Sequence, residues 1–149
     1  MRYFEDFEPG QVSEAGPHFV SREEIIDFAR RFDPQPFHLD EEAGRATHFG
    51  GLVASGWHTA ALSHKLLVEG MLKDAASLGS PGVDELRWLK PVRPGDALTL
   101  RMEVLELLPS RSKPDRGSIR CLFSLRNQTG DTVMSQRGIG MFARRPRTA

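Results

Sequence analysis

Apolar residues first recur at helical spacing shortly after residue 20. A serine precedes this segment and a glutamate stands three positions after it, the pattern of a capping box, in which Ser21 and Glu24 satisfy each other's backbone N–H groups. Proline disfavours a helical conformation at the residue before it and clashes with a preceding turn, so Pro34 and Pro36 mark the end. The pattern predicts a helix over residues 22–31. The apolar residues are Ile25, Ile26, Phe28, Ala29 and Phe32.

A second helical segment, from about Ala54 to Leu72, has little polar surface. Its first half is rich in small residues, which allow close approach of whatever surrounds it. A helix that is apolar around most of its circumference is buried, so we predict that this one lies at the centre of the fold. Its apolar residues include Trp57, Ala60, Ala61, Leu62, Leu66, Leu67, Val68 and Met71.

After Pro81 the pattern changes to alternation with a period of two, which predicts strands. Four strands are predicted after Pro81, over residues 84–92, 98–104, 118–126 and 131–143. Residues 12–20 are a further candidate strand. One helix followed by four antiparallel strands predicts an α+β hot-dog fold, a curved sheet wrapped around a central helix. Such a sheet covers its helix only partly, so we expect a homodimer or a higher homo-oligomer.

Composition narrows the class of protein. The 149 residues fit one domain, with a core at about 12–143 and a basic tail at 144–149. Twenty basic residues balance twenty acidic ones, so no net field favours nucleic acid or a membrane surface. The single cysteine, Cys121, excludes an internal disulfide. It stands two positions after Ile119 on a predicted strand and so lies on the same face, which predicts a buried thiol. No apolar run has the length of a bilayer or the form of a signal peptide, so we expect a cytoplasmic protein.

The candidate chemistry is concentrated between residues 32 and 56. Asp33 and His38 stand five positions apart on a segment stiffened by Pro34 and Pro36. A glycine-rich run, residues 49–56, then leads into the start of the predicted central helix, where backbone N–H groups are unpaired. Because proton transfer beside a carbonyl requires an acid/base pair and fixed hydrogen-bond donors, this arrangement predicts a lyase.

These positions resemble the signature of the MaoC-like dehydratases, a family that includes (R)-specific enoyl-CoA hydratases. That signature has an Asp, an Asn-Pro pair, a His five positions after the Asp, a further Asp two beyond the His, and a helix-opening His-Gly. The resemblance extends over about residues 20–143, and residues 86–96 resemble the family's downstream strand and turn. The corresponding positions here are Asp33, Gln35-Pro36, His38, Asp40 and Ser55-Gly56. Gln35 and Ser55 depart from the family's Asn and His, which bears on substrate choice more than on reaction type.

The resemblance implies reversible syn addition of water to a trans-2-enoyl-CoA, giving a 3-hydroxyacyl-CoA. Asp33 and His38 would hold the water. We expect His38 to abstract the proton and Asp33 to orient the water and supply the α-proton, and the opposite division of roles stays open. The N–H of Gly56 would bind the thioester oxygen, and glycine would allow its close approach. We expect no cofactor beyond the CoA of the substrate.

Further residues have expected roles around this centre. Asp40 is expected to be structural, as a helix cap or as a partner of His38, and Trp57 either lines the acyl pocket or packs in the core. The basic residues near the predicted strand turn either contact CoA phosphates or are solvated; they are Arg87, Lys90 and Arg93. The spacing of His48, His58 and His64 is too loose for a metal site, and His18 is expected at the surface. The expected substrate-binding residues are Gln35, Phe37, Gly51, Ser55 and Trp57.

Two other functions are considered. A hot-dog thioesterase usually needs a carboxylate on or near the central helix, but residues 54–68 contain none and Glu69 comes too late. A non-catalytic acyl-CoA-binding subunit has no need of Asp33 or His38, and both are present. A hydratase is therefore favoured over either alternative.

Overall fold

The computed structural model describes residues 1–148, so Ala149, the end of the predicted tail, lies outside the described residues. Helix α1 covers Arg22–Phe32, one residue beyond the predicted end. The predicted capping box is confirmed, because the Glu24 N–H donates to Ser21 Oγ at 3.1 Å and the Ser21 N–H donates to the Glu24 carboxylate at 3.2 Å. The helix therefore begins where its sequence satisfies its first N–H groups.

Two short helices follow α1 along the chain. Helix α2 covers Pro36–Leu39 and α3 covers Glu41–Arg45. Asp40 caps α3, since its Oδ2 accepts from the Ala43 N–H at 3.0 Å. The prediction of a structural Asp40 is confirmed, and its role is the helix cap.

The central helix and the sheet confirm the predicted hot-dog fold. The sheet is antiparallel throughout, in the order β1-β3-β4-β5-β2, which leaves β1 and β2 as its edges. None of the helices among residues 1–148 is long and apolar enough to cross a membrane. The remaining elements are α4 (Gly56–Gly70), β1 (Val12–Phe19), β2 (Gly82–Trp88), β3 (Ala97–Pro109), β4 (Arg116–Arg126) and β5 (Thr132–Ala143).

The alternating positions of the strands form the core as predicted. Leu98 and Leu100 of β3 are fully buried, and their polar neighbours are not. Cys121 is buried on β4, and desolvation raises the pKa of its thiol to about 11, so the thiol is protonated and unreactive at neutral pH.

Several predicted boundaries differ from the observed ones, and long-range backbone hydrogen bonds explain two of the differences. Helix α4 begins at Gly56 rather than Ala54, because the Ala54 N–H donates to the Val92 carbonyl at 2.8 Å and holds the chain extended. Strand β2 ends at Trp88 rather than Val92, because the Leu89 N–H turns to the Val133 carbonyl. The hydrogen bond between Ala54 and Val92 also holds the start of α4 close to the segment that follows β2.

Candidate active site

A cleft of about 680 Å³ opens at the N-terminal end of α4. The three residues predicted to be catalytic, Asp33, His38 and Gly56, all line it. Its walls come from the end of α1, helix α2, the segment before α4 and the segment after β2. The fold therefore brings the predicted acid/base pair and the predicted N–H donor to one cavity.

His38 is held by the backbone on one side and faces Asp33 on the other. Its Nδ1 lies 2.7 Å from the Val53 carbonyl oxygen, and its side chain is 7% exposed. A carbonyl only accepts, so Nδ1 carries a proton, and whenever the ring is neutral the lone pair is on Nε2. Nε2 lies 3.3 Å from Asp33 Oδ2. The ring is thus oriented to accept a proton at Nε2.

Asp33 closes α1 as its C-cap and receives two side-chain hydrogen bonds. Gln35 Nε2 donates to Oδ1 at 2.8 Å, and Ser55 Oγ donates to Oδ2 at 2.7 Å. Desolvation raises the pKa of Asp33, but the bonds from Ser55 and Gln35 and the nearby His38 outweigh it, so the pKa lies below its usual value. Asp33 is therefore a carboxylate at neutral pH.

Gly56 presents an unpaired backbone N–H at the start of α4. Ser55 Oγ accepts from the Trp57 N–H at 3.3 Å, and the Gly56 N–H has no acceptor among the described residues. The indole N–H of Trp88 donates to the Gly56 carbonyl at 2.8 Å, and a Cβ at position 56 would lie 2.5 Å from Trp88 Cε2. Glycine is therefore required here by the Trp88 ring.

This contact makes Gly56→Ala a sensitive variant. We expect the added methyl group to displace the Trp88 indole and to lower the free energy of unfolding by about 1–3 kcal/mol, the usual cost of overpacking. The Tm measured by calorimetry checks this. A second replacement, Trp88→Leu, makes room for the methyl group, so the double variant should be less destabilised than the sum of the two single variants. Additive losses would contradict the proposed clash.

Not all predicted substrate-binding residues reach the cleft. Gln35, Phe37 and Trp57 line it, whereas Ser55 is fully buried and Gly51 packs against the backbone near Gly44. The prediction of direct substrate contact is therefore unsupported for Gly51 and Ser55. Ser55 acts on the site through its hydrogen bond to Asp33.

Trp57 belongs to the wall of the cleft and not to the core. It is 60% exposed and meets Trp88 edge to face, with ring centroids 5.0 Å apart. Of the two alternatives for Trp57, core packing was wrong. Trp88 was missed as a site residue, although it lies within the downstream segment that carried the family resemblance.

The basic residues after β2 differ in their positions. Lys90 and Arg93 line the cleft, whereas Arg87 does not. Arg93 Nη2 donates to the Phe49 carbonyl at 2.6 Å, and Lys90 Nζ pairs with Asp131 at 3.0 Å. Two positive charges therefore stand on one wall of the cleft.

The four histidines other than His38 lie in three different places in the fold. His48 lines the cleft, His64 is on the exposed side of α4, and His58 is buried. His18 was predicted at the surface and is only partly exposed: its side chain is 18% exposed and bonds Glu24 at 2.9 Å. Residues 1–148 contain no group of three or more metal-ligating side chains placed to hold a metal ion.

Comparison with known proteins identifies relatives over most of the chain. The family model described as "MaoC like domain" matches residues 6–116. An uncharacterized protein, YdeM of Bacillus subtilis, is 38% identical over 125 residues, 83% of this chain and 86% of that protein. The 3-hydroxybutyryl-CoA dehydratase of Methylorubrum extorquens is 33% identical over 137 residues, 89% of this chain and 78% of that enzyme. The crystal structure of a MaoC-like dehydratase from Rhodospirillum rubrum superposes with a TM-score of 0.90 at 44% identity, covering 97% of this chain and 99% of that one.

Proposed function

Because the chain belongs to the MaoC-like domain family, we propose that it is an acyl-CoA hydro-lyase that reversibly adds water to a trans-2-enoyl-CoA, giving a 3-hydroxyacyl-CoA. One observation carries the proposal: the Asp33–His38 pair, 3.3 Å apart, lines the same cleft as the unpaired N–H of Gly56. A base and an oxyanion donor in one cavity are what addition to a conjugated thioester requires.

His38 is proposed as the base that activates water. The Val53 carbonyl holds the proton on Nδ1, so Nε2 is free to take a proton from a water molecule that also donates to the Asp33 carboxylate. The water oxygen then bonds to the β-carbon as the double bond breaks. The imidazolium formed beside Asp33 is stabilised by that negative charge.

The proton returned to the α-carbon is proposed to be the one removed from water. The sequence led us to expect Asp33 to supply it, but a carboxylate whose pKa is lowered holds no proton of its own at neutral pH. The imidazolium of His38 can deliver it to the same face of the double bond. One water molecule is consumed: its hydroxyl group adds to the β-carbon and its proton to the α-carbon, on the same face. Atoms and electrons therefore balance.

Gly56 is proposed to stabilise the enolate formed between these steps. Its N–H points from the first turn of α4, where the helix dipole also favours negative charge. Charge developing on the thioester oxygen would bind there, and Lys90 and Arg93 on the same cleft are candidates for the CoA phosphates. We propose no cofactor beyond the CoA of the substrate.

We further propose a homodimer formed through β2. This strand is an edge of the sheet and is mostly exposed, with Val83 at 53% and Trp88 at 44% exposure. The unpaired backbone groups of an edge strand are a ready surface for pairing with a second copy about a two-fold axis. Since Trp88 also lines the cleft, the acyl thioester would bind near the subunit interface.

The experiment that tests the reaction separates it from both alternatives. Purified protein is supplied with short, medium, branched and mesaconyl-type enoyl-CoAs, and loss of enoyl absorbance and release of free thiol are followed together. We expect enoyl absorbance to fall without thiol release, and the same equilibrium to be reached from the hydroxyacyl side. Thiol release would indicate a thioesterase, and binding without turnover across the panel would indicate a non-catalytic subunit.

A further inference from the structure

We propose that Glu24 and His58 are positioning residues: their contact holds helix α1, which carries Asp33, in register with the first turn of α4, which carries Gly56. The inference rests on the proposed hydration for its kinetic consequences. Neither residue lines the cleft, so any effect on turnover must pass through the two helices.

The Glu24 carboxylate joins three elements behind the cleft. Its Oε1 lies 2.9 Å from His18 Nε2 on β1 and 3.3 Å from His58 Nε2 on α4. Its Oε2 accepts from the Ser21 N–H at the start of α1. The side chains of Glu24 and His58 are 28% and 7% exposed, so solvent screens this contact less than a surface ion pair. One carboxylate therefore fixes β1, α1 and α4 to each other.

The environment of His58 shows what its ring contributes. The ring stacks on Phe28 of α1, with centroids 4.8 Å apart and an angle of 11° between the planes. Its Nδ1 is buried and has no hydrogen-bond partner within residues 1–148. Leaving a buried polar atom unpaired costs free energy, so a phenylalanine would fill this position at lower cost. The polar group is useful here through Nε2, which reaches Glu24.

Two polar contacts tie α1 to the start of α4, in addition to the stacking of His58 on Phe28. Asp33 bonds Ser55 at 2.7 Å at one end, and Glu24 meets His58 at the other. Glu24 and Asp33 are nine residues apart, about 13 Å along the helix axis at the usual rise. Without the Glu24–His58 contact, we expect α1 to shift about Ser55 and to turn the Asp33 carboxylate relative to His38. A misplacement of about 1 Å is enough to cost on the order of 10²-fold in rate.

The test compares two substitutions that each keep half of the His58 contact. His58→Phe keeps the stacking on Phe28 and removes the donor to Glu24, whereas His58→Gln keeps a side-chain N–H and removes the stacking. We expect His58→Phe to lower kcat by roughly 10- to 100-fold with KM changed by less than about twofold. His58→Gln should recover most of kcat, even if its Tm is lower.

Glu24→Gln is the complementary test variant, and Glu23→Gln is its control. Glu23→Gln makes the same change of charge at an exposed position of α1 and should leave kcat unchanged. Glu24→Gln should lower kcat, and combining it with His58→Phe should cost little more than the worse single variant, because the two act as one unit. A merely structural role would instead make kcat follow Tm across the set.

The outcomes separate this inference from the proposed reaction. If the wild-type chain hydrates an enoyl-CoA and His58→Phe retains its kcat, positioning by this contact is overturned and the reaction stands. If the wild-type chain is inactive, the proposed reaction fails, and a crystal structure of His58→Phe decides the inference. We expect α1 to be rotated and the Asp33–Ser55 hydrogen bond lengthened; unchanged positions would overturn it.

Discussion

Replacing His38 by asparagine should lower kcat/KM for hydration by about 10²- to 10⁴-fold, the usual contribution of general acid–base catalysis. An asparagine side chain has a donor that can take the place of Nδ1 and bond the Val53 carbonyl, which accepts from His38 at 2.7 Å. It has no group that can accept a proton from water at neutral pH. The chemistry is removed while the buried carbonyl keeps its partner, so the Tm should change little.

The control for this variant is His48→Asn. His48 lines the same cleft and is exposed, so the same imidazole is removed from the same cavity away from Asp33. Steady-state hydration of the best substrate in the panel gives kcat/KM for both variants. Substantial activity in a folded His38→Asn protein would rule out His38 as the base, and an equal loss in His48→Asn would show that the cleft responds to any imidazole.

Features determined by neighbouring residues could be predicted from the sequence. The capping box of Ser21 and Glu24 spans three positions, and the core of β3 follows from alternation along one strand. Asp33 and His38 could be paired because the turn between them is short and stiffened by proline. In each case the physical cause lies within a few residues, where periodicity and spacing carry the information.

The missed features depend on contacts between distant parts of the chain. Trp88 bonds the Gly56 carbonyl across 32 positions, and His38 is oriented by the carbonyl of Val53, 15 positions away. No periodic pattern records either contact. Gly56 was expected to be a glycine for the approach of substrate, and the structure adds a reason, the Trp88 ring, that only the folded chain brings close.

Ser55 is one of the departures from the family signature, and its hydrogen bond to Asp33 shows what this residue does here. The signature has histidine before the helix-opening glycine, whereas Ser55 here is fully buried and donates to Asp33 Oδ2 at 2.7 Å. Serine in place of histidine therefore affects the ionisation of the Asp33 carboxylate. A hydroxyl donor favours the ionised form of Asp33, and the same residue caps the first turn of α4 through the Trp57 N–H.

Asp33→Asn tests the role of that carboxylate with almost no change of shape. We expect kcat/KM to fall by about 10²- to 10⁴-fold, because the amide neither accepts strongly from water nor stabilises an imidazolium at His38. Asp40→Asn is the matched control, since asparagine caps a helix as well as aspartate does and Asp40 only caps α3. Comparable losses in the two variants would contradict a specific role for Asp33.

The difference in stability between the wild type and Asp33→Asn should depend on pH, in a direction set by the pKa of Asp33. That pKa is lower in the folded chain than in the unfolded chain, so the carboxylate contributes stability at pH values above its unfolded pKa. The contribution is lost as the pH falls through the folded pKa. Urea unfolding at neutral pH should therefore find the variant less stable than the wild type, and the gap should narrow towards pH 3. A gap that stays constant or widens on acidification would mean that Ser55 and Gln35 do not hold Asp33 in its ionised form.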